Sequence, residues 1–153
     1  KGLALSTNNP VAAVPTLQAL AWNLPYSAYP ICPLLDARKN EVYAAMYKFE
    51  GKTLVYLMAE AVISLSKLAD RIKEKTLFTG EASSLFRGEI EKIFGDRALF
   101  APRSAILPSA ATVAEIGLSM IKSGKQADPD SITPMYLRRP EAEVAWEKRN
   151  QSN

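Results

Sequence analysis

The middle of the chain carries three apolar segments that are separated by short polar turns. The first runs from Ile31 to Ala37 and the second from Val42 to Phe49. Between them lies Arg38–Glu41, which has an asparagine where a tight turn favours one. Glu50–Lys52 makes a second turn before the third segment, Leu54 to Ile63. Valine, tyrosine and phenylalanine favour strands, so we predict a three-stranded antiparallel meander over residues 31–63.

Helices and short strands alternate after the meander, as judged from apolar spacing, serine caps and terminal glycines. The predicted elements are a helix that starts at Ser64 or Ser66, a strand over Thr76–Gly80, a helix from Ser83 or Ser84 to Gly95, a strand over Ala98–Ala101 and a helix from Ser109 to Gly124. The resulting order βββαβαβα predicts an α/β fold in which helices cover a mixed sheet. The ribonuclease-H-like lobe of the actin, Hsp70 and sugar-kinase superfamily has the same order.

A separate short arrangement is predicted upstream of the meander. Gly2–Leu5 has the pattern of a last helical turn, which Asn8, Asn9 and a proline would end. Val11–Val14 is a predicted short strand, and Thr16 is the predicted N-cap of a helix that reaches Leu24. The segment over residues 25–33 contains three prolines, so we place a domain boundary there. The chain has no initiator methionine, and we expect an upstream part to have been removed.

The composition excludes several classes of active site. The 153 residues include no histidine and one cysteine, so neither a Ser-His-Asp triad nor a His-based or thiolate zinc site can form. Cys32 lies in an apolar run, where we expect a small buried residue. The net charge of +3 comes from scattered groups, and a solvated surface is favoured over a nucleic-acid groove. No apolar stretch approaches the roughly 20 residues that span a bilayer.

The polar hairpin tip is the main candidate site. Asp36, Arg38 and Glu41 crowd together between two predicted strands. Two carboxylates could serve as an acid/base pair, which requires a cleft and separated pKa values. The structural alternative is favoured: Asp36 and Glu41 each accept a hydrogen bond from Arg38 or from turn amides and thereby fix the hairpin.

Three other features carry predictions. The strand-to-helix turn Thr79–Ser83 suits an anion, but it lacks the repeated glycines of a phosphate loop, so helix capping is favoured. Trp22 and Trp146 are predicted to pack rather than to stack on RNA. Residues 141–149 could form a short helix that docks on a partner or frays as a chain end.

Four sequence pieces resemble the TsaB family, also called YeaZ. The hairpin sequence PLLDARKNEVYAAMY, residues 33–47, is similar to the DAR-x-x-EVY hairpin of that family. PMYLRR, residues 134–139, followed by Glu141 and Glu143, resembles its P-x-YLR closing motif. KGLAL at 1–5 and VAAVPTLQALA at 11–21 are similar to its helix end and its strand-helix segment. The pieces occur in the family's order over nearly the whole chain.

The resemblance implies a two-lobe protein of which this chain carries one lobe. Residues 1–28 would be a remnant of the N-terminal lobe, residues 29–140 the ribonuclease-H-like lobe, and residues 141–153 a C-terminal tail. It implies a non-catalytic cytoplasmic subunit that pairs with a TsaD-like catalytic subunit and a TsaE-like ATPase. That assembly transfers a threonylcarbamoyl group to adenosine 37 of certain tRNAs, which this subunit would contact indirectly. We therefore expect no catalytic, cofactor-binding or metal-binding residue, no membrane contact, and self-association of the isolated lobe.

Two enzymatic alternatives remain open at this point. One is a kinase or ATPase lobe of the actin-like fold, although none of the seven glycines forms a G-x-G cluster. The other is a metallopeptidase of the M22 type, a label that follows from shared ancestry with TsaD. Nucleotide binding would favour the first alternative, and stoichiometric bound metal would favour the second.

Overall fold

A five-stranded mixed sheet forms the centre of the computed structural model, which describes residues 1–138. Its strand order is β3-β2-β1-β4-β5. The strands are β1 (Ile31–Asp36), β2 (Glu41–Glu50), β3 (Thr53–Ser64), β4 (Thr76–Thr79) and β5 (Ala98–Phe100). The first three pair antiparallel, whereas β4 pairs parallel with β1 and with β5. The meander and the two crossovers predicted from the sequence are thus confirmed.

Six α-helices accompany the sheet in the described residues. They are α1 (Gly2–Thr7), α2 (Thr16–Trp22), α3 (Leu65–Arg71), α4 (Glu81–Leu85), α5 (Arg87–Phe94) and α6 (Ala110–Lys122). The prediction of one helix between β4 and β5 is wrong, because the chain leaves helical geometry at Phe86, with φ −102° and ψ 22°. Gly95 ends α5 as predicted, with a positive φ of 54°. None of these helices is long and apolar enough to cross a membrane.

Strand alternation gives the sheet two apolar faces, each with its own core. On one face Cys32, Leu34 and Val42 pack against α3, its C-cap residue and α5, which contribute a cluster of buried residues: Leu65, Leu68, Ile72, Ile90 and Phe94. On the other face Ile31, Ala45 and Tyr47 pack against α2, through Leu17, Leu20 and Ala21. Helices therefore cover both sides of β1 and β2.

The region before the sheet differs from its prediction at three points. Val11–Val14 is not a strand; Val11 makes a single bridge to Ala127, whose amide donates to its carbonyl at 2.7 Å. Thr16 is the first residue of α2 rather than its N-cap, because Pro15 occupies the N-cap with φ −62°, a value that proline adopts by default. The helix ends before Leu24, which precedes a proline and is thereby disfavoured from helical geometry.

Serine caps were predicted correctly at two other helices. Ser64 is the N-cap of α3, and its hydroxyl accepts a hydrogen bond from the Lys67 amide at 3.4 Å. Ser109 is the N-cap of α6, without a side-chain bond to the helix. Asn8 ends α1 in the left-handed conformation at φ 54°, as expected for an asparagine stop signal.

Candidate functional site

The β1–β2 turn is narrow and conformationally unusual. The Ala37 amide donates to the Glu41 carbonyl at 3.0 Å, and the Glu41 amide donates to the Arg38 carbonyl at 3.0 Å. The three residues between them, Arg38, Lys39 and Asn40, all have positive φ values of 63°, 54° and 59°. This conformation costs free energy in residues other than glycine, so contacts outside the turn must hold it in place.

Asp36 supplies one of those contacts from the end of β1. Its Oδ1 accepts a hydrogen bond from the Arg38 amide at 2.8 Å, in the manner of an Asx turn. Its Oδ2 lies 3.7 Å from Nη1 of Arg38, a side chain that is 86% exposed. Because exposed ion pairs contribute little, the amide bond is the contact that shapes the turn. The predicted hydrogen bond from a turn amide to Asp36 is confirmed.

Glu41 has a different partner from the predicted one. Its Oε2 accepts a hydrogen bond from Nη2 of Arg138, and Nη1 of the same guanidinium donates to the Ala37 carbonyl. The two charged side chains are 35% and 26% exposed, so water screens the pair only in part. We call this contact the Arg138 latch. It fastens the closing motif onto the hairpin motif across 97 residues of sequence.

The hydrogen-bond donors that reach the two hairpin carboxylates come from the chain itself. Asp36 accepts through Oδ1 and Glu41 through Oε2, and within residues 1–138 no group of three His, Cys, Asp or Glu residues could hold a metal ion. Burial raises the pKa of the Cys32 thiol far above its usual range, so the sulfur stays protonated and inert. The hydrogen bonds of Asp36 and Arg138 to the turn position its backbone.

The predicted side-chain cap at the strand-to-helix turn after β4 is wrong, because the hydroxyls of this turn bond to carbonyls instead. Gly80 is the N-cap of α4, and no side chain caps that helix. The hydroxyls of Thr79 and Ser83 donate to the carbonyls of Ala105 at 2.8 Å and Gly80 at 2.6 Å. A Cβ at Gly80 would lie 2.2 Å from the Leu34 carbonyl oxygen, so the glycine lets α4 approach β1.

The remaining predicted candidates fall into two groups. Trp22 packs against Phe49, with ring centroids 5.5 Å apart, in line with its predicted packing role. Trp146, the segment 141–149 and the closing-motif residues Glu141 and Glu143 lie outside the described residues.

Sequence reasoning overlooked one polar cluster on the sheet. Glu60 lies on β3, where its Oε1 accepts hydrogen bonds from the phenols of Tyr47 and Tyr56. A signal was present, because Glu60 is the only charged residue between Thr53 and Ser64. The Arg138 latch was also missed, since spacing within either motif does not reveal which residue it meets.

Comparison with known proteins places this geometry in a family. The family model described as "TsaD: tRNA N6-adenosine threonylcarbamoyltransferase" matches residues 1–146. The tRNA threonylcarbamoyladenosine biosynthesis protein TsaB of Bacillus subtilis (strain 168) is 31% identical over 149 residues, which are 95% of this chain. The chain belongs to the TsaD family, and the match to the Bacillus protein supports the predicted resemblance to TsaB. It spans 63% of the length of the Bacillus protein.

Solved structures of YeaZ and of a protein similar to it share the fold of this chain. One is a Pseudomonas aeruginosa protein described as similar to the peptidase YeaZ, with a TM-score of 0.72 and 24% identity over 90% of this chain and 63% of that one. The other is YeaZ from Pseudomonas aeruginosa, with a TM-score of 0.67 and 22% identity over 88% of this chain and 64% of that one. These neighbours confirm the predicted α/β fold, in which helices cover a mixed sheet.

Proposed function

We propose that this chain is the ribonuclease-H-like part of a TsaB-type subunit that supports threonylcarbamoylation of tRNA adenosine without catalysing it. The proposal includes the predicted boundaries, with residues 29–140 as that lobe, and a cytoplasmic location. The family membership of the chain and the name of the Bacillus relative support a role in threonylcarbamoylation of tRNA adenosine. Its partners would be a TsaD-like catalytic subunit and a TsaE-like ATPase, with tRNA reached through them.

The Arg138 latch is the observation that carries the non-catalytic part of the proposal. The most polar hairpin of the chain engages its carboxylates with Arg138 and with the Arg38 amide. An acid/base pair works only when its groups can exchange protons with a substrate in a cleft. Carboxylates that hold a strained turn together instead define a rigid surface, which is what a scaffold subunit needs.

A reconstituted modification assay tests the proposal. TsaD-like and TsaE-like proteins, ATP, threonylcarbamoyl-adenylate and tRNA are combined with this chain, with the Bacillus TsaB, or with neither, and modified adenosine is measured. We expect modification to require a TsaB-type protein. Equal modification with no TsaB-type protein would contradict the scaffold role. Tight ATP binding by this chain alone would favour the kinase or ATPase alternative.

A further inference from the structure

A pocket of about 570 Å³ lies beside the helix-α2 face of the sheet. Its walls come from the start of α2 and the residues before it, from the sheet residues Leu35 and Tyr43, and from the segment 133–137 that precedes Arg138. The lining is mostly apolar, and Glu60 is its single charged residue. A lone carboxylate in such surroundings defines both the place and the sign of the charge that a ligand must bring.

Two phenols hold the Glu60 carboxylate in position. Tyr47, which is fully buried, donates to Oε1 at 3.1 Å, and Tyr56 donates to the same atom at 3.2 Å. The two rings lie 4.8 Å apart and brace each other. Burial and the neighbouring carboxylate raise the pKa of Tyr47, so its O–H remains a donor at neutral pH. The carboxylate is therefore oriented before any ligand arrives.

The negative charge of Glu60 is uncompensated in the described chain. No lysine or arginine among residues 1–138 forms an ion pair with it, and both of its hydrogen bonds fall on one oxygen. A partly buried carboxylate loses hydration that two neutral phenols replace only in part. A cation that reaches Oε2 would supply the missing interaction.

The aromatic and apolar residues of the pocket lining indicate which kind of cation fits it. Tyr43 and Tyr136 line the pocket, and aromatic rings attract guanidinium groups through their faces. Val14, Leu17 and Leu35 offer apolar surface of the kind that covers an alkyl stem. Nucleic acid is disfavoured, because the lining has a negative charge and no lysine or arginine to meet phosphate.

We propose that this pocket binds an arginine side chain presented by a partner protein. The guanidinium would pair with Glu60 and stack on a tyrosine ring, while its stem lies against the apolar wall. Arginine fits better than lysine because its planar fork matches a carboxylate, stacks on aromatic rings and is less strongly hydrated. The inference is independent of the proposed role in tRNA modification.

Amide chemical shifts of the isotope-labelled chain test the proposal with three capped amino acids as probes. N-acetyl-arginine methylamide should shift the amides of Leu35, Tyr43 and Glu60. Its citrulline counterpart has the same shape without the charge and should bind about tenfold more weakly or worse. The lysine counterpart should also bind more weakly than arginine. Equal binding of the citrulline compound, or no pocket shifts with the arginine compound up to its solubility limit, overturns the proposal.

Two variants test where the arginine compound binds, and a peptide tests whether an arginine within a protein chain can reach the pocket. Glu60→Gln should lose about tenfold in affinity or more, whereas Glu89→Gln, on an exposed face of α5, should bind as the parent chain does. The spectra themselves report whether each variant is folded. An arginine in the middle of a capped tripeptide should bind at least as tightly as the single residue. Unchanged affinity in Glu60→Gln, or exclusion of the tripeptide, would refute the proposed occupant.

Discussion

Replacing Gly80 by alanine should damage the sheet at its centre. The new Cβ would lie 2.2 Å from the Leu34 carbonyl oxygen and 3.0 Å from the Leu34 amide nitrogen. Leu34 belongs to β1, which lies between β2 and β4 in the sheet. Moving this strand away from the new Cβ would therefore disturb its hydrogen bonds to both neighbours. Gly80 also has φ 86° and ψ 163°, a region that is almost restricted to glycine.

The expected cost follows from these two effects. Forcing a side chain into the disfavoured backbone region costs about 1–3 kcal/mol, and overpacking against β1 costs about 1–3 kcal/mol more. The sum, about 2–6 kcal/mol, is a large share of the roughly 5–15 kcal/mol that typically stabilises a domain. For a domain of this size it corresponds to a fall in Tm of about 4–24 °C.

Urea unfolding followed by circular dichroism measures the effect, with Gly88→Ala as the matched control. Gly88 lies inside α5, and a Cβ there would have no neighbour within 4 Å. Alanine should therefore raise the free energy of unfolding by about 0.5–1 kcal/mol at that position. A Gly80→Ala protein within about 0.5 kcal/mol of the parent chain would refute the close-packing explanation.

Three further predictions concern the latch, the cysteine and the tyrosine pair. Arg138→Ala should lower the free energy of unfolding by about 1–3 kcal/mol. The loss should be smaller when Glu41→Gln is already present, although the bond to the Ala37 carbonyl is still lost; urea unfolding of the double-mutant cycle measures this coupling. Cys32 should react with a thiol reagent only at the rate of unfolding, and fast labelling of the folded protein at about pH 8 would contradict its burial. The free energy of unfolding should fall above about pH 10, because tyrosines of the unfolded chain ionise there while Tyr47 and Tyr56, with raised pKa values, stay protonated in the folded protein. Unfolding measured from about pH 8 to 11 should show a smaller fall for Tyr47→Phe than for the parent chain.

The elements of the fold were largely predictable because they depend on local sequence. The β1–β2 hairpin was visible as two apolar runs around a polar turn, and the Ser64 cap was visible from its residue type. The break at Phe86 and the absence of a strand at Val11–Val14 were not visible, since tertiary packing overrides short local patterns.

The candidate site was predictable only in part, for the same physical reason. The Asp36 bond to the Arg38 amide spans two residues and follows from turn chemistry. The bond between Glu41 and Arg138 spans 97 residues and depends on how the chain end returns to the sheet. The sequence of either motif alone contains no information about that return path.

Under the function that we propose, the hairpin carboxylates are structural and not catalytic. The test uses two single variants, Asp36→Asn and Glu41→Gln. Each is measured in the reconstituted modification assay, and urea unfolding of the same samples gives its folded fraction. We predict that modification falls only as far as the folded fraction falls, so that corrected rates match the parent protein. A variant that is fully folded and still loses modification by about 100-fold or more, as expected for a general acid or base, would contradict the claim.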